Sequence, residues 1–368
     1  MRKKILVLGS DSEGADGDCG RRISSVLAAD PEIECIIGGH PTHRGQQLAQ
    51  EIRATFAVVD VREPRSITSA LTDVFAVVNA CGPFREHDYT MAEQCAQRGI
   101  HYIDMADTRA YVAGISELKT KAVRSHCAIV TGANTLPAVS SALIESLTRD
   151  FVKIDDIHIA ISIESNNLRA FITIPEIVNC AGSVIRLKQN GHWRQAYGWS
   201  ESRRLRFPEP IGKRRVFLFD APDLDLLPQR YGATTVTFHT GLYSSIFNAS
   251  LYLLAGLKRR GWVKDRSRLA SFLAGIGKVF GVLLNTNASG MSILIRGVKD
   301  EKNHERQAYL VMRDGISPAI PCSPAIALIK KWVRDGVGET GAFPCVGLLT
   351  WDEIKAELLD HDIVVVLT

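Results

Sequence analysis

The feature that most limits how this chain can fold is the alternation of its first 150 residues, where short apolar runs are followed each time by a helical stretch. The runs are Lys4–Leu8, Glu34–Ile37, Phe56–Val59, Ala76–Asn79, Tyr102–Ile103 and Ala128–Thr131. Helices are expected to begin near Gly20, Thr42, Ile67, Asp88, Gly114 and Pro137. A run that is apolar at every position, not at alternate ones, belongs to a strand buried on both faces, and helical crossovers supply both covers. The pattern predicts an α/β, doubly wound parallel sheet.

After residue 150 the period changes. Ile154–Glu164 sets His158, Ala160 and Ser162 against Ile157, Ile159, Ile161 and Ile163. Arg214–Phe219, Thr234–His239, Met291–Gly297 and Arg306–Arg313 read as further strands, and such alternation belongs to a mostly antiparallel sheet with one polar face. Asn190-Gly191 and Lys299–His304 are hairpin turns, and helices are expected over Pro175–Lys188 and Phe247–Arg260. Pro324–Val333, Leu349–Leu359 and the final Ile363–Leu367 are expected to return to helix. The division is a first domain of residues 1–150, a second, α+β domain of residues 151–317, and a C-terminal segment of residues 318–368.

Composition removes several classes. Apolar residues at 46% and charged ones at 23% give ample core, so disorder is not the main state. The net charge of +4 is spread along the chain, so no nucleic acid is expected as partner. The 8 cysteines form no C-x-x-C pair, and neither a metal site nor a disulfide scaffold is expected. The start, Met1-Arg2-Lys3-Lys4 before Ile5–Gly9, is too short in its apolar run for a signal peptide, and no uninterrupted apolar stretch would span a bilayer. A cytoplasmic location is expected.

Chemistry is expected at the carboxyl ends of the first strands. The first turn carries Gly9, Gly14, Gly17, Cys19 and Gly20 before a helix, a spacing that lets backbone N–H groups approach a pyrophosphate. This is the mark of a Rossmann dinucleotide site. About twenty residues on, where an acidic residue would bind a ribose 2′-hydroxyl, the chain has Gly38-Gly39-His40-Pro41-Thr42-His43-Arg44. His40 and Arg44 suit a 2′-phosphate, so NADP is expected ahead of NAD. Asp60 and Val61 close the third strand, and Ala80-Cys81-Gly82-Pro83 closes the fourth with a rigid turn; all six are expected beside the cofactor. Asp104, at the end of the fifth strand, and His87 and Tyr89, after the Gly-Pro turn, are the candidate catalytic acids or bases. Arg203, Arg204, Arg206, Lys213, Arg214 and Arg215 read as a solvated basic face, with a polycarboxylate site as the alternative.

Gly17-Asp18-Cys19-Gly20-Arg21-Arg22, Val78–Phe84, His101-Tyr102-Ile103-Asp104, Pro318–Ala325 and Pro344–Thr350 together resemble the saccharopine dehydrogenase-like family, over nearly the full chain. The resemblance implies an NADP-binding Rossmann domain of residues 1–150 completed by residues 318–368, an inserted substrate and dimerisation domain of residues 151–317, a homodimer, and redox chemistry at a carbon–nitrogen bond of an amino-acid-derived small molecule. The chain departs from the family pattern twice. Its first turn is extended and carries Asp11, Glu13, Asp16 and Asp18, and Met105-Ala106-Asp107 stands where a small Gly-containing turn is expected. Two rival readings follow: a cofactor-binding or interaction protein without catalysis, and a lipid-related enoyl reductase-like protein touching a membrane surface through residues 251–284.

Overall fold

Ile5, Leu6, Val7 and Leu8 are buried along their whole length, as a central parallel strand requires. The structure, a computed structural model, describes residues 2–12, 15–41, 43–60, 63–82, 84, 88–163, 174–261, 288–313, 318–358 and 363–367. In chain order the first part runs β1 (Lys3–Leu8), α1 (Ala15–Ala28), β2 (Ile33–Gly39), α2 (His43–Glu51), β3 (Thr55–Val58), α3 (Pro64–Ala70), β4 (Ala76–Asn79) and α4 (Thr90–Arg98). It continues with β5 (His101–Asp104), α5 (Arg109–Gly114), α6 (Lys119–Arg124), β6 (Ala128–Thr131) and α7 (Ser140–Leu147). The middle part has β7 (Lys153–Ile163), α8 (Ile174–Cys180), β8 (Val184–Gln189), β9 (His192–Tyr197), β10 (Arg203–Arg206) and β11 (Lys213–Leu218). There follow α9 (Asp223–Tyr231), β12 (Thr235–Leu242), α10 (Ser245–Arg259), β13 (Ser289–Lys299) and β14 (Lys302–Met312). The last part is α11 (Ala319–Asp335), β15 (Gly341–Pro344), α12 (Trp351–Ala356) and β16 (Ile363–Leu367).

These elements form two units. Met1–Ala142 with Pro318–Leu358 makes the first, and Leu143–Ser317 with Leu359–Thr368 the second. The first unit's sheet has the order β15-β6-β5-β4-β1-β2-β3, and every pairing in it is parallel. This is the doubly wound sheet the alternation predicts. β15 was not expected: Gly341-Ala342-Phe343-Pro344 is short and carries Gly and Pro, which only an edge strand tolerates. α11 packs on α1 and is buried along most of its length, including Ile326, Leu328, Ile329 and Trp332.

The second unit's sheet has the order β10-β11-β12-β7-β13-β14-β16. β12 lies parallel to β7, and the other pairings are antiparallel. The expected turns are there: Asn190 and Gly191 join β8 to β9 with φ of 50° and 82°, and Asp300 and Glu301 join β13 to β14 with φ of 49° and 61°. Two helical expectations fail. The stretch from Pro175 to Lys188 is helical only to Cys180 and then turns into β8, whose alternating Val184-Ile185-Arg186-Leu187 pairs with β9. Ile363–Leu367 is a strand on β14, because a run of β-branched residues favours the pleated surface over a helix. So the tail from residue 359 belongs to the second unit, where residues 318–368 were all expected on the first.

Candidate cofactor and substrate sites

The turn after β1 closes with Ser12 N–H donating to the Gly9 carbonyl at 3.2 Å. Gly9 sits at φ +95°, and a Cβ there would lie 2.8 Å from the Ala80 carbonyl. A Cβ on Gly17 would lie 1.9 Å from the Ser12 carbonyl oxygen, and one on Gly20 2.6 Å from the Ser10 nitrogen. These three glycines let α1 start flush against the end of β1, so that its unpaired N–H groups open at the carboxyl edge of the sheet. Cys19 is buried behind them, its carbonyl facing the Cys322 thiol at 3.7 Å. Ala80 N–H donates to the Leu8 carbonyl, which joins the β4 turn to the glycine turn. Cys81 N–H donates to Asn79 Oδ1 at 3.0 Å, and Cys81 and Gly82 are half-buried beside it. Gly14, Val61, Pro83 and His87 lie outside the described residues.

Of the four acidic residues in the extended turn, the side chains of Asp11 and Asp18 are among those described. Asp18 pairs with Arg21, whose guanidinium also reaches the Ser12 carbonyl at 3.1 Å. Asp11 crosses to the end of β2 and accepts the His40 N–H at 2.9 Å. Glycines at 39 and 45 admit it, since a Cβ on Gly39 would lie 2.4 Å from the Asp11 carboxyl carbon. The end of β2, which has no carboxylate of its own in sequence, therefore receives one from the first turn. His40 is exposed, and Arg44 stands exposed in the first turn of α2. Asp60 donates its N–H to Ser66 Oγ at 2.9 Å, tying β3 to α3.

Asp104 is wholly buried. Its Oδ1 accepts from Thr131 Oγ at 2.7 Å and from the Ala106 and Gly132 N–H groups at 3.0 and 3.1 Å. Its Oδ2 has no hydrogen-bond partner among the described residues. Burial raises the carboxyl from 3.8 to about 6 against the pull of those three donors and of the Tyr111 hydroxyl. Nearby, Asn79 Nδ2 donates to Tyr102 Oη at 3.0 Å, and Asn79 and Asp104 are register partners on β4 and β5. Tyr89 donates to the Tyr111 carbonyl at 2.7 Å and its ring lies tilted against that of Tyr111 at 4.7 Å; burial pushes its phenol up to about 12. Residue-by-residue reading missed Asp11 and Tyr111 as parts of the site, although a polar residue ending an apolar strand, as Asn79 does, is a visible signal.

In the second unit the pleat divides the basic run. Arg203 pairs with Val216 on one face, while Arg204 faces Arg215 and Arg206 faces Lys213 on the other. On the Arg203 face, His158 Nδ1 meets Thr237 Oγ at 2.8 Å and Arg203 at 3.4 Å. Arg203 can only donate, so Nδ1 accepts and Nε2 carries the proton. Burial and the Arg203 charge depress His158 to about 4, and the same causes depress the buried His239 to about 3. Both imidazoles are neutral at pH 7.

This arrangement of a glycine-sealed helix N-terminus at the edge of a parallel sheet defines the class of dinucleotide-binding Rossmann domains. More narrowly, residues 13–133 match the saccharopine dehydrogenase NADP binding domain. No curated protein matches the chain. Among solved structures, apo saccharopine dehydrogenase (L-Glu forming) from Saccharomyces cerevisiae shares the fold with a TM-score of 0.70 at 14% identity, over 100% of both chains. The DAP dehydrogenase of C. glutamicum in complex with DAP superposes with a TM-score of 0.50 at 12% identity, over 98% of this chain and 99% of the other. No helix among the described residues is long and apolar enough to cross a membrane. Of residues 251–284, those from 262 onward lie outside the described residues.

Proposed function

We propose that the protein is an NADP-dependent oxidoreductase that forms or breaks a carbon–nitrogen bond in an amino-acid-derived substrate. The observation that carries this reading is the seam of Gly9, Gly17 and Gly20, which leaves the N-terminus of α1 open within a domain of NADP-binding type. Bound NADPH supplies a hydride, which with one proton converts an imine to an amine. Around it, the first N–H groups of α1 would hold the pyrophosphate, Arg44 and His40 the 2′-phosphate, and the Ala80–Gly82 turn the edge of the nicotinamide. On the second unit, taken by itself, Arg203 beside the neutral His158 ring is a cation that suits a carboxylate. Amino-acid dehydrogenases among the similar folds support that choice of substrate class.

For proton handling, Tyr89 and His87, the latter outside the described residues, are the candidates, and Asp104 acts as a positioning residue. Its buried Oδ1 fixes the Ala106 and Gly132 peptides that form the carboxyl edge of β5 and β6. A second reading, a cofactor binder without turnover, draws on the complete burial of Asp104 and the hydroxyl of Tyr89 spent on a backbone carbonyl.

The test is a thermal-unfolding panel with NAD, NADH, NADP and NADPH. Ligand at a hundred times its dissociation constant stabilises by about 2.7 kcal/mol, and the phosphorylated pair is expected to do so at the lower concentration. No shift with any of the four rejects the proposal. A shift with NADPH, but no NADPH oxidation with any 2-oxo acid and amine pair tried, favours the second reading.

A further inference from the structure

On the second unit, β10, β11 and α10 enclose a cavity of about 440 Å³ lined by Arg204, Arg215, Phe217, Ser245 and Tyr252, among others. It lies on the sheet face opposite Arg203 and His158, so it is separate from the substrate residues proposed above. We propose that this cavity binds a phosphate monoester with an apolar body, the phosphate on Arg204 and Arg215 and the body on Phe217 and Tyr252.

Three features converge there. Arg204 and Arg215 are directly opposed across the antiparallel pair, and Arg206 and Lys213 are opposed next to them. Like charges so placed repel. No carboxylate pairs with any of the four among the described residues; Arg215 has only Ser202 Oγ, at 3.2 Å. A dianion between the two guanidinium groups removes the repulsion and offers their forks the oxygen geometry they match.

The second feature is α10, a helix of 15 residues whose first turn faces the same cavity through Ser245. Ser244 caps it by accepting the Phe247 N–H at 3.2 Å. That leaves the Ser245 and Ile246 N–H groups, with the positive end of the helix, beside the two arginines.

The third is the apolar wall. Asn248, Ala249 and Tyr252 follow Ser245 at helical spacing, so one face of α10 lines the cavity. Tyr252 stands with its ring 6.0 Å from that of Phe217, and it is 55% exposed, as are Ile246 and Leu253 at 64% each. A compact inorganic anion would leave this wall in water. Asn248 is already committed at both ends of its amide to Leu242, so it serves as wall and not as a ligand group.

The experiment is titration calorimetry on the full chain with inorganic phosphate, phenyl phosphate and a soluble short-chain phosphatidate, and sedimentation with phosphatidylcholine vesicles with and without phosphatidate. Phenyl phosphate is expected to bind at least about tenfold more tightly than inorganic phosphate, and Arg204→Ala and Arg215→Ala each to weaken it at least about tenfold. Tyr252→Ala is expected to weaken phenyl phosphate and leave inorganic phosphate unchanged. All three side chains are at the surface, so melting curves that match wild type separate lost binding from lost fold. If the same arginine variants abolish sedimentation with phosphatidate vesicles, the ligand is a lipid headgroup; if vesicles never sediment the protein while phenyl phosphate binds, it is a soluble ester. Failure of all the phosphates to bind, or binding unchanged in both arginine variants, overturns the proposal. Since NADPH has no part in these measurements, the result stands apart from the outcome of the cofactor panel.

Discussion

At the scale of single residues the two carboxylates Asp11 and Asp104 have opposite environments and make opposite predictions. Asp11 hydrogen-bonds the His40 N–H at the end of β2, where a cofactor's ribose is read, and its charge opposes a 2′-phosphate that Arg44 attracts. Asp11→Asn is therefore expected to tighten NADPH binding several-fold and leave NADH within about twofold, since only the phosphorylated ribose feels the charge. Arg44→Ala is expected to erase the preference for the phosphorylated pair. Equal affinities for NADPH and NADH in wild type, unmoved by either change, would remove both residues from the site. Asp104 is a buried acid with its proton held up to about 6, so the folded state binds that proton more tightly than the unfolded chain does. Stability it contributes is present below its unfolded value of 3.8 and is lost as pH rises from about 4 to about 6, by up to about 3 kcal/mol. In Asp104→Asn that slope should vanish while the three donors to Oδ1 keep an acceptor. Denaturant midpoints between pH 4 and pH 7 that fall in parallel for both proteins would show that the carboxyl does not titrate in this range.

At the scale of elements, the start of α1 and the last turn of α10 show when a glycine is required. Gly17 cannot take a methyl group without moving the Ser12 carbonyl, which also accepts from Arg21. Gly17→Ala is expected to cost about 1–3 kcal/mol in unfolding free energy and to weaken NADPH at least about tenfold by displacing the turn. Gly256, in α10, has open space where a methyl group would go, with no atom within 4 Å, and Gly256→Ala is expected to stabilise by about 0.5–1 kcal/mol, the ordinary helix preference of Ala over Gly. Chemical denaturation of the two variants side by side checks both signs. The same scale explains what was readable and what was not. β1, β4 and β6 announce themselves because each holds a run of consecutive apolar residues, and the β8–β9 turn does so through Asn190-Gly191. β15 is hidden by its Gly and Pro, and β8 by following a helix within four residues, where periodicity has no window to act in.

At the scale of the whole molecule, the first unit is completed by residues that follow the second in the chain. β15 extends the parallel sheet beyond β6, and α11, buried from Ala319 to Ile329, packs on α1. A fragment of residues 1–150 would expose the apolar face of α1 and the edge of β6 to water. It is expected to aggregate or to melt without a cooperative transition, and a monomeric fragment of that length with a sharp melt that binds NADPH would refute the dependence on α11 and β15. The local pattern of the chain alone determined the parallel strands, the glycine turn, the change to alternating strands near residue 150 and the hairpin turns, because each of these is set by residues close in sequence through sterics, β-branching and burial on one face or two. Only the tertiary structure decided that Asp11 lies at the end of β2, that Asp104 is sealed beneath its sheet edge, that the last strand joins β14, and that the basic run is split between two faces of one sheet. Those outcomes depend on which strand lies beside which, and pairing between distant segments is settled by the burial of the whole core.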